Sequence, residues 1–240
     1  MANYLVANGC GYIGARLVKA LLSLGHSVKV LDTRERIARH CLVDCYPLEV
    51  GELLNPAEID RAMSYVDVCF LLDPFVQNPA RTRAMESFEC ARSISYLLFE
   101  RAVNYQVPII FSSSASVYGS SPSLPFKECD TAQPQTVHAV YLRSLELLAK
   151  KCSLENALPT VGLRLFNVYG PRRLNEGAGD DVVSHLVRST LECRPMTVFG
   201  DGNQCRDFIY INDVVNHFIA ALETLFQSPK LYNVCNGRPI

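Results

Sequence analysis

The sequence lacks the features that mark several large classes of protein. Its 23 lysines and arginines nearly balance 24 aspartates and glutamates, so no overall charge favours nucleic acid or an anionic membrane. The longest uncharged stretch, 107–126, contains prolines, a glycine and many serines, which excludes a membrane span. No apolar run typical of a signal peptide is visible near the N-terminus. We therefore expect a cytoplasmic protein without a membrane or nucleic-acid partner.

Paired cysteines are also missing. The ten cysteines are scattered, no Cys-x-x-Cys occurs, and the closest pair is Cys41 and Cys45 beside His40. The five histidines show no metal-ligand spacing. We expect reduced, mostly buried thiols and no metal site.

Short β-branched runs alternate with longer amphipathic runs, which predicts an α/β fold. The sequence predicts strands at 4–7, 27–32, 47–50, 66–72, 108–113 and 160–166, and helices at about 12–24, 56–64, 80–105 and 137–155. This rhythm predicts a doubly wound parallel sheet over residues 1–166. Residues 167–240 are predicted to form a small lobe that returns a strand and a helix to the sheet. Its predicted elements are helices near 181–193 and 212–226 and strands at 196–200 and 231–237.

The most specific motif lies in the first predicted β–α–β unit. Gly9, Gly11 and Gly14 form a Gly-x-Gly-x-x-Gly loop between a strand and a helix, and Asp32 ends the next strand. In this Rossmann-like fingerprint the glycines permit a tight turn, approach of a pyrophosphate and close helix packing. Asp32 can bind an adenosine ribose, which favours NAD over NADP, although Arg34 weakens the preference. Glycines that serve only a tight turn are the alternative.

A serine-rich segment, "FSSSASVYG" (111–119), follows the fifth strand at the edge where open α/β sheets bind ligands. Together with "YIGARL", Tyr141, "LRLFNVYGPR" (163–172) and "GDGNQCRDFIYINDV" (200–214), it makes the chain resemble the extended short-chain dehydrogenase/reductases. Within them the chain looks like the NAD-dependent epimerase/dehydratase family, which acts on nucleotide sugars. The motifs run in order through essentially the whole chain.

The resemblance implies a catalytic group. In this family a tyrosine phenolate removes a proton from a sugar hydroxyl while hydride passes to NAD, and a serine hydrogen-bonds the same oxygen. A lysine four residues after the tyrosine lowers the tyrosine pKa. By position the serine is Ser114 and the tyrosine is Tyr141, whereas the lysine position holds Leu145. His138, one turn before Tyr141, could act as a neutral partner or a replacement base.

The missing lysine matters because an unassisted tyrosine has a pKa of about 10, so roughly one in a thousand is ionised at neutral pH. Leu145 therefore puts efficient redox turnover in question. The cofactor side also departs from the family: Asn8 replaces the first glycine of the turn, Glu52 replaces an aspartate, and Asp73 brings a negative charge near the diphosphate. The positions expected to contact the cofactor are Gly9, Gly11, Tyr12, Ile13, Gly14, Asp32, Arg34, Glu52, Leu53, Leu72, Asp73, Ser112 and Tyr141.

The substrate side resembles the family more closely. By resemblance, Asn167 faces the diphosphate of a nucleotide sugar and Arg206 pairs with its phosphates. The expected substrate-binding residues are Ser114, Asn167, Arg172 and Arg206. Family members usually continue beyond the point that matches Ile240, so we expect a truncated, open lobe. The resemblance also implies a homodimer through the helices near 80–105 and 137–155.

Three functions remain open at this point. The first is an NAD-dependent nucleotide-sugar epimerase or dehydratase that uses Ser114 and Tyr141. The second is a degenerate member that binds a nucleotide or a partner without redox turnover. The third is an enzyme of altered, non-redox chemistry that uses the sugar pocket without a nicotinamide cofactor.

Overall fold

The structure is a computed structural model that describes residues 1–39, 49–75, 83–120, 124–171, 182–196, 198, 200–227 and 230–240. Nine strands are found there: β1 (Asn3–Ala7), β2 (Ser27–Asp32), β3 (Glu49–Glu52), β4 (Val68–Leu71), β5 (Ile109–Ser114), β6 (Thr160–Leu165), β7 (Asn167–Tyr169), β8 (Phe208–Tyr210) and β9 (Lys230–Val234). Seven of them form one parallel sheet in the order β3-β2-β1-β4-β5-β6-β9, and β7 pairs with β8 in a separate small sheet. This is the doubly wound order, so the predicted fold class is confirmed.

The helices of the described chain cover both faces of the large sheet. They are α1 (Gly14–Ser23), α2 (Arg34–Arg39), α3 (Pro56–Met63), α4 (Ala84–Tyr105), α5 (Val137–Asn156), α6 (Val182–Leu191) and α7 (Ile211–Thr224), with a 3-10 turn at Ala115–Tyr118. Within these residues no helix is both long and apolar enough to cross a membrane.

Two hydrophobic cores lie on opposite faces of the sheet because side chains alternate along each strand. In β1, Tyr4 and Val6 pack with α1 and α7, whereas Leu5 and Ala7 pack with α3, α4 and α5. Burial on both faces explains why the strands read as nearly continuous apolar runs.

Several predicted boundaries change. The strand predicted at 47–50 is β3 at Glu49–Glu52, and residues 47 and 48 lie outside the described part. Helix α4 begins at Ala84, where the Arg83 N–H donates to the Glu86 carboxylate at 3.3 Å. Helix α5 begins after Thr136, whose hydroxyl accepts the Ala139 N–H at 3.1 Å. A side-chain oxygen that accepts an N–H of the first turn is a helix start signal.

The C-terminal part of the chain contains the missed elements. Strands β7 and β8 are three residues each, too short for an alternating pattern to show in the sequence. The strand predicted at 196–200 lies partly outside the described residues and stays a prediction. Because α7 packs in the first core and β9 pairs with β6, both belong to the main sheet layers. The domain boundary at residue 166 remains a prediction.

Candidate functional site

A cleft of about 350 Å³ opens at the carboxyl edge of the large sheet. It lies beyond β1 and β4, where the strand order reverses, which is where doubly wound sheets bind ligands. Its walls come from the loops after β1 and β4, the end of β5, the first turn of α5 and the β6–β7 segment. The lining residues include Asn8, Gly11, Tyr12, Ile13, Gly14, Arg36, Leu72, Asp73, Ser112, Ser113, Ser114, His138, Phe166 and Asn167.

The glycine-rich loop after β1 is tightly packed. Asn8 has φ +62°, a left-handed conformation that asparagine tolerates better than most residues, which explains how it replaces a glycine there. At Gly9 a Cβ atom would lie 2.8 Å from Val30 Cγ1 and 2.9 Å from the Val6 oxygen. Gly9 is therefore required for space, and the left-handed turn residue is Asn8.

Gly14 allows the start of α1 to approach the same loop. A Cβ atom there would lie 2.5 Å from the Asn8 oxygen and 2.7 Å from Gly9 Cα. Residues Gly11 to Gly14 line the cleft, so the N-terminal turn of α1 faces it. A backbone that comes this close at a helix N-terminus fits the diphosphate of a dinucleotide.

Asp32 ends β2 as predicted, but its carboxylate is fully buried. Oδ2 accepts the Cys10 N–H at 2.8 Å and Oδ1 accepts the Thr33 N–H at 2.7 Å. Burial raises the pKa of Asp32, against the opposing effects of the Arg36 charge and these two bonds. The carboxylate is thus held toward the glycine loop, and its contact with a ribose stays a prediction.

Arg36 is a cleft residue that the sequence interpretation missed. It lies on α2, lines the cleft and donates to Asn8 Oδ1. The available signal was a second arginine two residues after Arg34. Arg34 itself pairs with Glu52 at 2.7 Å, and 78% of its side chain is exposed, so this pair contributes little stability. Neither Arg34 nor Glu52, nor the buried Leu53, belongs to the described cleft wall, and their cofactor contacts remain predictions.

Asp73 is fixed by contacts from three parts of the fold. Its N–H donates to Ser112 Oγ of β5 at 2.8 Å, and its carbonyl accepts from the Asn8 amide. Oδ1 accepts the Phe75 N–H at 2.9 Å, while Oδ2 lies 2.6 Å from His138 Nε2. The Asp73 carboxylate therefore faces an imidazole in the cleft.

His138 lies in the first turn of α5 and brings that helix to the cleft. Its imidazole packs on Phe75, with ring centroids 4.8 Å apart, and its side chain is 18% exposed. Ser114 lines the same cleft and accepts the Ser116 N–H at 3.1 Å, which caps the 3-10 turn. The structure thus brings Ser114, His138 and Asp73 together.

Tyr141 lies elsewhere, and its placement does not support the predicted acid–base role. Its side chain is 1% exposed, its hydroxyl lies 2.8 Å from Ser95 Oγ of α4, and it is absent from the described cleft wall. Burial, and next the Asp73 charge, raise the pKa of Tyr141, which disfavours a phenolate. Tyr141 is three residues after His138 in α5, so the two side chains point about 60° apart around the helix axis. His138 therefore lies in the cleft, whereas Tyr141 points toward α4.

The position of the family lysine, four residues after the base, is apolar whether it is counted from Tyr141 or from His138. Leu145, four residues after Tyr141, and Leu142, four residues after His138, are both 1% exposed in the second core. No lysine lines the cleft among the residues that the structure describes. A cation that tunes a phenol is therefore not found on this face of α5.

A buried ion pair supports the serine segment from behind. Glu146 of α5 accepts two bonds from Arg164 of β6, at 2.8 and 2.9 Å, and one from Ser113 Oγ at 2.8 Å. Burial favours a higher pKa, but the bonds and charge of Arg164, together with the bonds from Ser113 and Arg143, outweigh it and lower the pKa of Glu146. The pair was missed, although an arginine inside an apolar strand pattern was a signal for it. It fixes Ser113 next to Ser114.

The predicted substrate residues are only partly brought to the cleft. Asn167 of β7 lines it and donates to the Asp207 carbonyl at 2.7 Å. Arg206 is exposed outside the described wall; its N–H donates to the Ile240 carbonyl and its carbonyl accepts the Ile240 N–H, both at 2.9 Å. Asp207 accepts the N–H groups of Asn236 and Gly237 at 2.8 and 2.7 Å, so it anchors the C-terminal segment. Arg172 lies outside the described residues.

The glycine loop, the buried acid at the end of the second strand and the cleft at the switch point define a dinucleotide-binding protein of the doubly wound class. The model of the NAD dependent epimerase/dehydratase family matches residues 4–235, and the chain belongs to that family. NAD is the cofactor of the family, and the residues of the glycine loop fit its diphosphate. The predicted family and cofactor are confirmed.

Curated relatives point in the same direction. The chain is 27% identical over 234 residues to a probable UDP-glucuronate 4-epimerase of Rhizobium meliloti, covering 90% of this chain and 67% of that protein. It is 28% identical over 229 residues to a UDP-N-acetyl-alpha-D-glucosaminuronate decarboxylase of Bacillus cytotoxicus, covering 91% of this chain and 70% of that protein.

Two solved structures are similar over nearly the whole chain. A UDP-N-acetylglucosamine 4-epimerase from Methanobrevibacter ruminantium, in complex with UDP-N-acetylmuramic acid, has a TM-score of 0.89 and 27% identity and covers 100% of this chain and 78% of that one. A UDP-glucuronic acid 4-epimerase from Bacillus cereus, in complex with UDP-glucuronic acid and NAD, has a TM-score of 0.84 and 26% identity and covers 99% and 79%.

Proposed function

We propose that this protein is an enzyme that binds NAD and a nucleotide sugar and oxidises a sugar carbon transiently, as an epimerase or dehydratase does. The observation that carries the proposal is the single cleft that holds the glycine loop, Ser114 and Asn167. Relatives of this family are named as epimerases and decarboxylases of nucleotide sugars, and one similar structure holds NAD together with UDP-glucuronic acid.

One end of the cleft is proposed to bind NAD and the other end the nucleotide sugar. When bound, NAD supplies the hydride acceptor. The backbone from Gly11 to Gly14 binds the dinucleotide diphosphate. Ser114 donates a hydrogen bond to the reacting sugar oxygen, and Asn167, at the start of the C-terminal lobe, lies on the side of the nucleotide diphosphate. Arg206 and Arg172 are proposed as further phosphate partners by resemblance.

We further propose that the protein is a homodimer. On the outward side of α5, Val140, Leu147 and Leu154 are exposed by 45%, 51% and 70%, and on α4 Tyr96 is exposed by 60%. The three α5 residues are seven apart, so they form one apolar stripe along the helix. Val137 and Leu148, two other apolar residues of α5, are half-buried. A second copy of the chain would cover this stripe through α4 and α5.

A cytoplasmic location is part of the same proposal. The eight cysteines among the described residues are free thiols; three of them are buried and four are exposed, so the expectation that most are buried is wrong. Cysteines without disulfide partners are typical of proteins in a reducing compartment.

The first experiment identifies the bound nucleotide. The purified protein is denatured, the released small molecules are identified by mass spectrometry, and the remaining apo protein is titrated with NAD and NADH. Bound or micromolar NAD, followed by formation of a new UDP-sugar isomer or keto product, supports the proposal. No NAD binding at millimolar concentration would contradict it, and a UDP-sugar bound alone would favour non-redox chemistry.

A further inference from the structure

We propose that Arg36, held in place by Asn8, binds the diphosphate of the dinucleotide at the glycine loop. The inference rests on the proposed binding of NAD, and it names a residue of that site that lies outside the Gly-x-Gly-x-x-Gly motif. It starts from the cleft wall, where Arg36 is the one lysine or arginine among the residues that the structure describes.

The Arg36 guanidinium lies over the middle glycine of the loop. A Cβ atom added to Gly11 would lie 3.5 Å from Arg36 Nη1 and 3.5 Å from Asn8 Nδ2. In the dinucleotide-binding fingerprint this glycine lets a pyrophosphate approach the backbone. Arg36 therefore reaches the side of the loop where phosphate oxygens are expected.

The side chain of Asn8 holds the guanidinium at this place. Asn8 Oδ1 accepts a hydrogen bond from Arg36 Nη1, and Asn8 Nδ2 donates to the Asp73 carbonyl at 2.5 Å. These two bonds fix the amide, while the positive φ of Asn8 keeps the turn that a glycine would make. The asparagine that departs from the family pattern is thus a positioning residue for Arg36.

The positive charge of Arg36 is available to a ligand. Arg36 is half-buried, and among the described residues its guanidinium forms no ion pair and bonds to Asn8. The carboxylate of Asp32 is fully buried nearby, and both of its oxygens accept backbone N–H groups. The remaining N–H donors of a planar guanidinium suit phosphate oxygens, which an arginine binds in pairs.

A cation at this position also offsets negative charge in the cleft. A diphosphate is an anion, and the carboxylate of Asp73 lies on the same wall. The N–H groups at the start of α1 together carry only about half a positive charge. Arg36 adds a full charge, so we expect it to contribute more to affinity than any single backbone N–H of the loop.

Titration calorimetry of the apo protein with NAD, NADP, ADP and adenosine tests the inference. Arg36→Gln keeps an N–H donor for Asn8 and loses the charge. It is expected to weaken NAD and ADP binding on the order of 10- to 100-fold, whereas adenosine, which has no phosphate, changes less than about threefold. Arg36→Lys should recover part of the loss, because it restores the charge without the planar fork. Arg194→Gln, which removes an exposed arginine paired with Glu192, is the control and should bind NAD like the wild type.

Two further readouts separate the charge from a structural effect. The Kd of the wild type for NAD should rise between about 0.05 and 0.5 M NaCl, and that of Arg36→Gln should rise clearly less, because salt screens exposed charges. Asn8→Gly should weaken NAD binding on its own and have no added effect in Arg36→Gln, since Asn8 acts through Arg36.

The outcomes distinguish this inference from the proposed function. Arg36→Gln that binds NAD and ADP as tightly as the wild type would overturn the inference, and so would a loss confined to NADP, which would place the guanidinium at a ribose 2′-phosphate. Wild-type protein that binds ADP through Arg36 but not NAD would support the inference and contradict the proposed redox function. Wild-type protein that binds neither nucleotide would overturn both.

Discussion

The two ends of the cleft differ in what their residues must satisfy. At the glycine-loop end, Gly9 and Gly14 have no room for a Cβ atom, which would lie 2.9 Å from the Val6 oxygen at Gly9 and 2.5 Å from the Asn8 oxygen at Gly14. At the other end, side chains are proposed to carry the chemistry, and Asp73 and Leu145 depart from the pattern that the family resemblance implies. The comparison teaches that the glycines without room for a side chain are kept, whereas residues at the end proposed for chemistry depart from the pattern.

The largest expected effect concerns the buried support of the catalytic end. Arg164→Met removes two of the four hydrogen bonds of the buried Glu146 carboxylate and leaves Arg143, at 2.9 Å, as its remaining charged partner, and we expect a loss of about 3 kcal/mol in the free energy of unfolding, measured with urea. The double variant Glu146→Leu/Arg164→Met removes both charges and should recover most of that loss. A single variant as stable as the wild type would show that the pair does not hold Ser113 in place.

A second variant alters only the glycine-loop end of the cleft. Gly14→Ala places a methyl group against the Asn8 oxygen, so we expect a cost of about 1–3 kcal/mol in the free energy of unfolding and at least tenfold weaker NAD binding. Gly25→Ala is the matched control, since no atom lies within 4 Å of its added methyl group and only its positive φ is strained. Unchanged NAD affinity in Gly14→Ala would contradict a diphosphate site at the start of α1.

A third change leaves both ends intact and tests the proposed dimer. Leu147→Glu/Leu154→Glu places charges on the α5 stripe and is expected to weaken dimerisation at least about tenfold, read by light scattering at micromolar concentration. Leu191→Glu, an exposed leucine of α6, serves as control and should stay dimeric. A monomeric wild type would refute the homodimer.

The smallest effect is expected for the tyrosine that the sequence favoured. Tyr141→Phe removes one hydrogen bond to Ser95 in a buried site, so we expect a loss of about 1 kcal/mol in the free energy of unfolding. Because Tyr141 does not line the cleft, NAD affinity should not change. Weaker NAD binding in this variant would show that the hydroxyl reaches the cofactor.

The sequence predicts local features well and tertiary pairing poorly. The strand rhythm and the spacing of Gly9, Gly11, Gly14 and Asp32 are contained in one β–α–β unit, so the fold and the cofactor loop could be predicted. The choice between His138 and Tyr141 depends on which side of α5 faces β5 and which faces α4. These residues are three apart on one helix, and their spacing does not decide it. Glu146 and Arg164 meet only in the folded chain.

The most direct test compares a variant of the cleft, at Ser114, with a variant outside it, at Tyr141, under identical conditions. Single-turnover oxidation of a UDP-sugar by bound NAD is measured for Tyr141→Phe and for Ser114→Ala, each relative to the wild type. The account predicts that Tyr141→Phe keeps the wild-type rate within about twofold and that Ser114→Ala loses at least about tenfold. The reverse order of the two rates would contradict it and return the acid–base role to Tyr141.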